Sequence, residues 1–157
     1  MRYATQRLKA YEFEVWTIER LNARDGTQIR HLTSSHDQLT RGDALYPNGD
    51  VLEIKLDEKL LRTGNLYIPV GRKQSHQREY LDSGIFATAS FTLYGIGDYR
   101  RFWIFRRVRL QALAEGRRLV RTDWASGYLL SEEEADQHGL SYYCWPAERS
   151  EPVYEIP

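Results

Sequence analysis

The chain has 157 residues, and 22 Lys+Arg balance 22 Asp+Glu, so it is one domain's worth of sequence with zero formal charge. That balance excludes a polycationic tail, and the longest apolar runs fall short of the roughly 18 residues a spanning helix needs. The single cysteine, Cys144, excludes an intrachain disulfide and any zinc site built on two or more cysteines.

Met1 to Ala10 is polar and lacks the apolar centre of a signal peptide, so a cytoplasmic location is expected, with no membrane partner. Residues 5–22 carry β-formers around Val15, Trp16 and Ile18. They also carry apolar residues at Leu8, Tyr11, Val15, Ile18 and Leu21, at spacings of three and four. Length and the Asp25-Gly26 stop favour helix. Thr27–Thr33 is expected as a short strand and Ser34–Gly42 as polar loop. Asp43–Tyr46 is expected as a strand entering the Pro47-Asn48-Gly49 turn. In Val51–Asp57 the residues Val51, Leu52, Ile54 and Leu56 interleave with Glu53, Lys55 and Asp57, the clearest strand pattern in the chain. Leu66–Ile68 is a strand ended by Pro69, Gly71–Asp82 a polar loop, and Ile85–Tyr94 leans to helix. A strand over Phe102–Val108, a short helix from Leu110 and an edge strand at Leu119–Arg121 follow. Ser131-Glu132-Glu133-Glu134 is a capping signature for a helix ending near Gly139. The order predicts an α/β fold, a mixed central sheet flanked by helices, over residues 1–145, with a tail over 146–157.

The chemistry concentrates between Asp43 and Lys55. Glu53 and Lys55 are two apart on a strand and so share a face, and Asp43 lies across the turn on the preceding strand. Two carboxylates meeting there could hold a hard divalent cation, Mg2+ with Mn2+ as a substitute. Such a cation offsets the charge of a scissile phosphate, and a neighbouring lysine orients the attacking water. Register is the condition. A strict two-residue turn at Asn48-Gly49 sets residue 44 opposite 53 and points Asp43 away from Glu53. A three-residue loop or a bulge pairs Asp43 with Lys55 and puts all three on one side. The acid-x-Lys pattern recurs at Asp57-Glu58-Lys59, and a polar strand face carrying a Glu/Lys pair would read the same way.

The ordered set Asp43, Glu53-Ile-Lys55-Leu-Asp57, Thr63-Gly64-Asn65-Leu66-Tyr67-Ile68, Ser83-Gly84-Ile85 and Thr88 resembles PD-(D/E)xK nucleases of the restriction-endonuclease-like superfamily. It is especially similar to the small resolvase-like and phage-type members. The likeness covers about residues 5–110. It departs from the pattern at Ala10, Pro69 and Phe91. It implies a restriction-endonuclease-like fold and metal-dependent hydrolysis of DNA phosphodiester bonds. Asp43 and Glu53 would bind metal and Lys55 would position water. A glutamate on the opening helix would reach the metal, with Glu14 the better match and Glu12 in reserve. Thr63, Asn65 and Ser83 sit in turns whose N–H groups can face a phosphate. Arginine supplies most of the positive charge: eight lie between Arg100 and Arg121. Arg72, Arg100 and Arg101 are therefore expected on nucleic acid. They could equally pair with Glu132–Glu134. His76 is expected near the phosphates, in a loop. His31 and His36 flank Thr33-Ser34-Ser35 but lack the second His-x-Thr that cyclic phosphodiesterase chemistry needs. Cutting both strands would require a two-fold dimer. Another class is an inactive nuclease-fold protein, an inhibitor or nucleic-acid binder of a phage or mobile element.

Overall fold

A computed structural model describes residues 2–73, 79–143 and 156–157. His76, Cys144 and the boundary expected at 145/146 lie outside the described residues. The fold is α/β, with a mixed central sheet at its middle.

Helix α1 (Arg2–Asp25) forms as the helical spacing predicts and stops at Gly26. It buries Phe13, Ile18 and Leu21 together with Glu14 and Thr17, whereas Leu8 and Tyr11 of the expected stripe are exposed. Strands β1 (Arg30–His31), β2 (Ala44–Leu45) and β3 (Val51–Leu56) follow, antiparallel to one another. Between β1 and β2 the expected loop contains a short helix, α2 (Ser35–Thr40), because Ser34 accepts the Asp37 N–H at 3.1 Å as its N-cap. A four-residue turn, α3 (Leu60–Thr63), ends at Gly64.

Strand β4 (Asn65–Arg72) runs past Pro69 instead of ending there. The register to β9 (Ala125–Ser131) slips between Pro69 and Gly71, and a bulge is where a strand accommodates a missing N–H. Strand β5 (Leu81–Asp82) pairs with β4 inside the stretch expected to be loop. The helix leaned to at 85–94 does not form. Gly84–Phe86 makes one 3-10 turn, the chain then runs irregularly, and Leu93–Gly97 is strand β6, buried at every position. Its Gly95 and Gly97, poor helix formers, leave room for Phe102 and the Arg101 backbone of the neighbouring strand. Strand β7 (Arg101–Arg106) and helix α4 (Arg107–Ala114) form in the expected order, but the helix begins at Arg107, inside the stretch expected as strand to Val108, and not at Leu110. Strand β8 (Val120–Arg121) and the capped helix α5 (Glu132–His138) match expectation. Strands β9 and β10 (Leu140–Tyr143) were not anticipated.

The central sheet has the order β1-β2-β3-β6-β7-β10 and is mixed because β3 and β6 are parallel. Helix α1 covers one face through Phe13, Ile18, Leu21, Leu52, Ile54, Phe102 and Ile104. The other face packs on a second, antiparallel sheet, β5-β4-β9-β8, through Leu66, Ile68, Tyr94, Trp103, Phe105, Tyr128 and Leu130. A sheet, and not helices alone, therefore closes this side. No helix among the described residues is long and apolar enough to cross a membrane.

Candidate functional site

The β2–β3 connection decides whether the acids can meet. It spans residues 46–50, held by Tyr46 N–H to Asp50 O at 2.8 Å and Gly49 N–H to Tyr46 O at 3.0 Å. Ala44 faces Leu52 and Leu45 faces Val51, so one residue further Asp43 falls beside Glu53. The connection is odd-numbered, as the chemistry requires, but longer than three. Asp43 therefore lines up with Glu53 and not with Lys55.

Asp43 also ends the ladder. Its N–H donates to Leu52 O at 3.0 Å, and its Oδ2 accepts the Ile54 N–H at 2.8 Å, where the next backbone carbonyl would otherwise stand. The chain leaves the sheet there because Gly42, at φ 156°, bends away. A Cβ at Gly42 would lie 2.8 Å from Val51 Cγ1. The Asp43 carboxylate is thus held where two strands diverge, within reach of α1.

From α1, Glu14 lies close enough to Asp43 for the two carboxyls to act on each other's charge, and its Oε1 lies 3.0 Å from His31 Nε2 on β1. Glu12, one position off the buried face, is exposed, so Glu14 is the helix carboxylate of this cluster. On β3, Lys55 Nζ lies 3.2 Å from Glu53 Oε1; the lysine side chain is 47% exposed and the glutamate 16%. The four expected residues come from α1, the end of β2 and β3, and they feel one another's charge.

Burial dominates the electrostatics. It pushes the carboxyls of Glu14, Asp43 and Glu53 up to about 7 each, and the mutual repulsion of Glu14, Asp43 and Glu53 adds to it. The Ile54 N–H opposes the rise at Asp43, and Lys55 and Arg107 oppose it at Glu53. For Lys55 burial works downward, but Glu53, Asp43 and Glu14 outweigh it and hold the ammonium above its ordinary value. Burial lowers His31, against the pull of Asp43. Glu14 and Asp43 act on each other's ionisation and so titrate as a pair.

Glu53 is drawn to Lys55, and Glu14 to Asp43 and His31. Among the described residues no three carboxylate, histidine or cysteine side chains converge closely enough to hold a metal ion as they stand.

The expected nucleic-acid residues lie apart from this cluster in role. Thr63 Oγ1 donates to Lys59 O at 3.0 Å and receives the Asn65 N–H at 3.2 Å, while Asn65 Nδ2 donates to Thr63 O at 3.2 Å. Both residues thereby close the turn around Gly64. Ser83 N–H is consumed by Val70 O at 3.1 Å, and a single 3-10 turn follows. Arg72 is exposed at the end of β4. Arg100 pairs with Asp98 at 2.9 Å and Arg101 with Asp136 at 2.6 Å, so these two arginines are engaged within the fold. Arg117 pairs with Glu134.

Two side chains at the site were not foreseen in a functional role. His31 lacks a repeated motif in the sequence, and its only signal there is its place on a strand beside the helix. In the sequence Arg107 is one of the basic cluster between Arg100 and Arg121. It donates through Nε to Ile85 O at 2.7 Å, and to Ala87 O, Ala89 O and Phe91 O, with its guanidinium 4.0 Å from the Phe91 ring centre. It fastens the irregular 85–91 segment and is the second cation near Glu53. No family model, curated protein or solved structure matches the chain.

Proposed function

We propose that this protein is a metal-dependent nuclease that hydrolyses DNA phosphodiester bonds, of the PD-(D/E)xK kind within the restriction-endonuclease-like superfamily. The observation that carries the reading is the gathering of Glu14, Asp43, Glu53 and Lys55 from three elements at the point where β2 leaves the sheet. The donor chemistry suits Mg2+ or Mn2+: hard carboxylate oxygens whose burial disfavours their charge, so that a cation would relieve them. Asp43, Glu53 and Glu14 would hold it. Once bound, the cation offsets the charge on the scissile phosphate and lowers the pKa of the attacking water. Lys55, half exposed, orients that water and counters developing negative charge. His31, hydrogen-bonded to Glu14 Oε1, fixes the orientation of that carboxylate. DNA is the expected partner, and a two-fold dimer is required if both strands are cut.

One observation favours a second reading, a nuclease-fold nucleic-acid-binding or inhibitor protein of a phage or mobile element that has lost turnover. Its acids are already engaged by Lys55 and His31, and Arg100 and Arg101 are spent on internal pairs.

The test is cleavage of supercoiled plasmid and of single-stranded circular DNA with Mg2+ or Mn2+. The nuclease reading expects cation-dependent cleavage that Lys55→Ala and Glu53→Ala each reduce by at least about 100-fold while DNA binding survives. Cleavage that persists in both variants rejects this site. DNA binding without cleavage under any cation selects the second reading.

A further inference from the structure

Tyr94 lies in the middle of β6, fully buried, and its phenol hydroxyl has no hydrogen-bond partner. Buried tyrosine hydroxyls ordinarily find one, because a donor taken out of water without an acceptor loses its hydration for nothing. Two other buried tyrosines obey this. Tyr128 donates to Leu110 O at 2.8 Å and Tyr142 to Asp25 Oδ2 at 2.7 Å.

The Tyr67 hydroxyl is also unpartnered, but only that of Tyr94 stands on the strand beside Glu53. Parallel pairing sets Tyr94 directly against Glu53. Val51, Tyr94 and Ile96 project into the core between the sheets, whereas Leu52, Ile54 and Leu93 project towards α1. Glu53 therefore leaves the sheet on the Tyr94 side. Burial keeps the phenol protonated, and Glu53 and then Asp43 are the charges that reinforce this most. The hydroxyl therefore stays a donor, and the charges that act on it most are carboxylates. Glu53 is meanwhile turned to Lys55.

We infer that the Tyr94 hydroxyl is a positioning donor of this site, which holds the Glu53 carboxylate for a divalent cation and so leaves Lys55 free for water or phosphate. The inference rests on the nuclease reading, since a cation that draws Glu53 from Lys55 is what gives the hydroxyl its acceptor. It extends that reading to a residue deep in the sheet–sheet core.

Tyr94→Phe removes one oxygen and keeps the ring, so packing is preserved. The experiment measures Mn2+ affinity by titration calorimetry, thermal unfolding in EDTA, and kcat and KM for plasmid cleavage, each in wild type and variant. The expected result is a metal-free Tm unchanged or higher, because an orphaned hydroxyl has gone. Mn2+ binding weakens about tenfold, as for other groups that orient a metal ligand, and kcat falls at unchanged KM. A merely structural hydroxyl would lower the metal-free Tm or leave Mn2+ affinity within twofold of wild type; either outcome overturns the inference and leaves the nuclease reading standing. Failure of the wild type itself to bind Mn2+ overturns both.

Discussion

Asp43 has few neighbours that favour its charge. One backbone N–H and the Lys55 ammonium support it, while burial and Glu14 oppose it. Glu14 and Glu53 are in the same position, and all three carboxyls stand near 7 instead of in the usual carboxylate range. Raised carboxyl pKa values mean that the native state binds protons which the unfolded chain has released. Stability of the metal-free protein should therefore fall as pH rises from the ordinary carboxylate range through about 7, with the last of the loss between about 6.5 and 8. His31, whose pKa is lowered, acts in the opposite sense around and below its ordinary value of 6.5, one group against three carboxyls. In EDTA, Tm should be higher at pH 6.5 than at pH 8. Asp43→Asn or Glu53→Gln should raise the pH 8 value by about 1 kcal/mol, or about 2–4 °C at this chain length. A flat wild-type profile over this range would show that the acids are not desolvated as described. On the nuclease reading, such a site gives up stability for function, and a bound cation would restore it.

At the scale of elements, helix α5 shows a local signal surviving intact into the fold. Ser131 Oγ accepts the Glu134 N–H at 3.1 Å, and Glu134 Oε1 accepts the Ser131 N–H at 3.4 Å, the reciprocal box that Ser131-x-x-Glu134 announces. The helix then presents Asp136 to Arg101 and to Trp103 Nε1, at 2.6 and 2.8 Å, which fastens β7. Ser131→Ala should cost about 1 kcal/mol, a fall of about 2–4 °C in Tm, with Mn2+ binding unaffected. An unchanged Tm would mean the cap contributes nothing. Other elements were less legible. Pro69 reads as a strand end because it lacks an N–H, yet a bulge carries β4 past it. Residues 85–94 carry enough apolar side chains to suggest a helix, but Gly84 abuts the Pro69 carbonyl and Arg107 binds four carbonyls of the segment. Those backbone groups are satisfied from outside, so no helix is needed to satisfy them.

At the scale of the molecule, the central sheet is the shared wall of two cores. Phe13 belongs to the α1 side and Ile68 to the sheet–sheet side, and both are fully buried. Phe13→Ala and Ile68→Ala should each cost about 2–5 kcal/mol. Because β3, β6 and β7 carry residues of both cores, each variant should still unfold in one transition, with calorimetric and van't Hoff enthalpies equal. Two resolved transitions in either variant would show the layers to be independent. The same wall explains the site, since α1 brings Glu14 to an edge whose other acids come from β2 and β3.

The helical spacing of residues 5–22, the alternation of Val51–Asp57 and the Ser131 capping box are local patterns, and local patterns determined α1, β3 and α5 without help. The acid and acid-x-Lys spacing likewise singled out Asp43, Glu53 and Lys55 as groups able to share one face. Tertiary structure alone decided that they do, through the length of the 46–50 connection and the bend at Gly42. It also decided that Glu14 and not Glu12 turns inward, that His31 meets it, and that Arg101 is spent on Asp136. Each of these depends on contacts between residues distant in the chain, where periodicity carries no information and only the closing of the sheet brings the partners together.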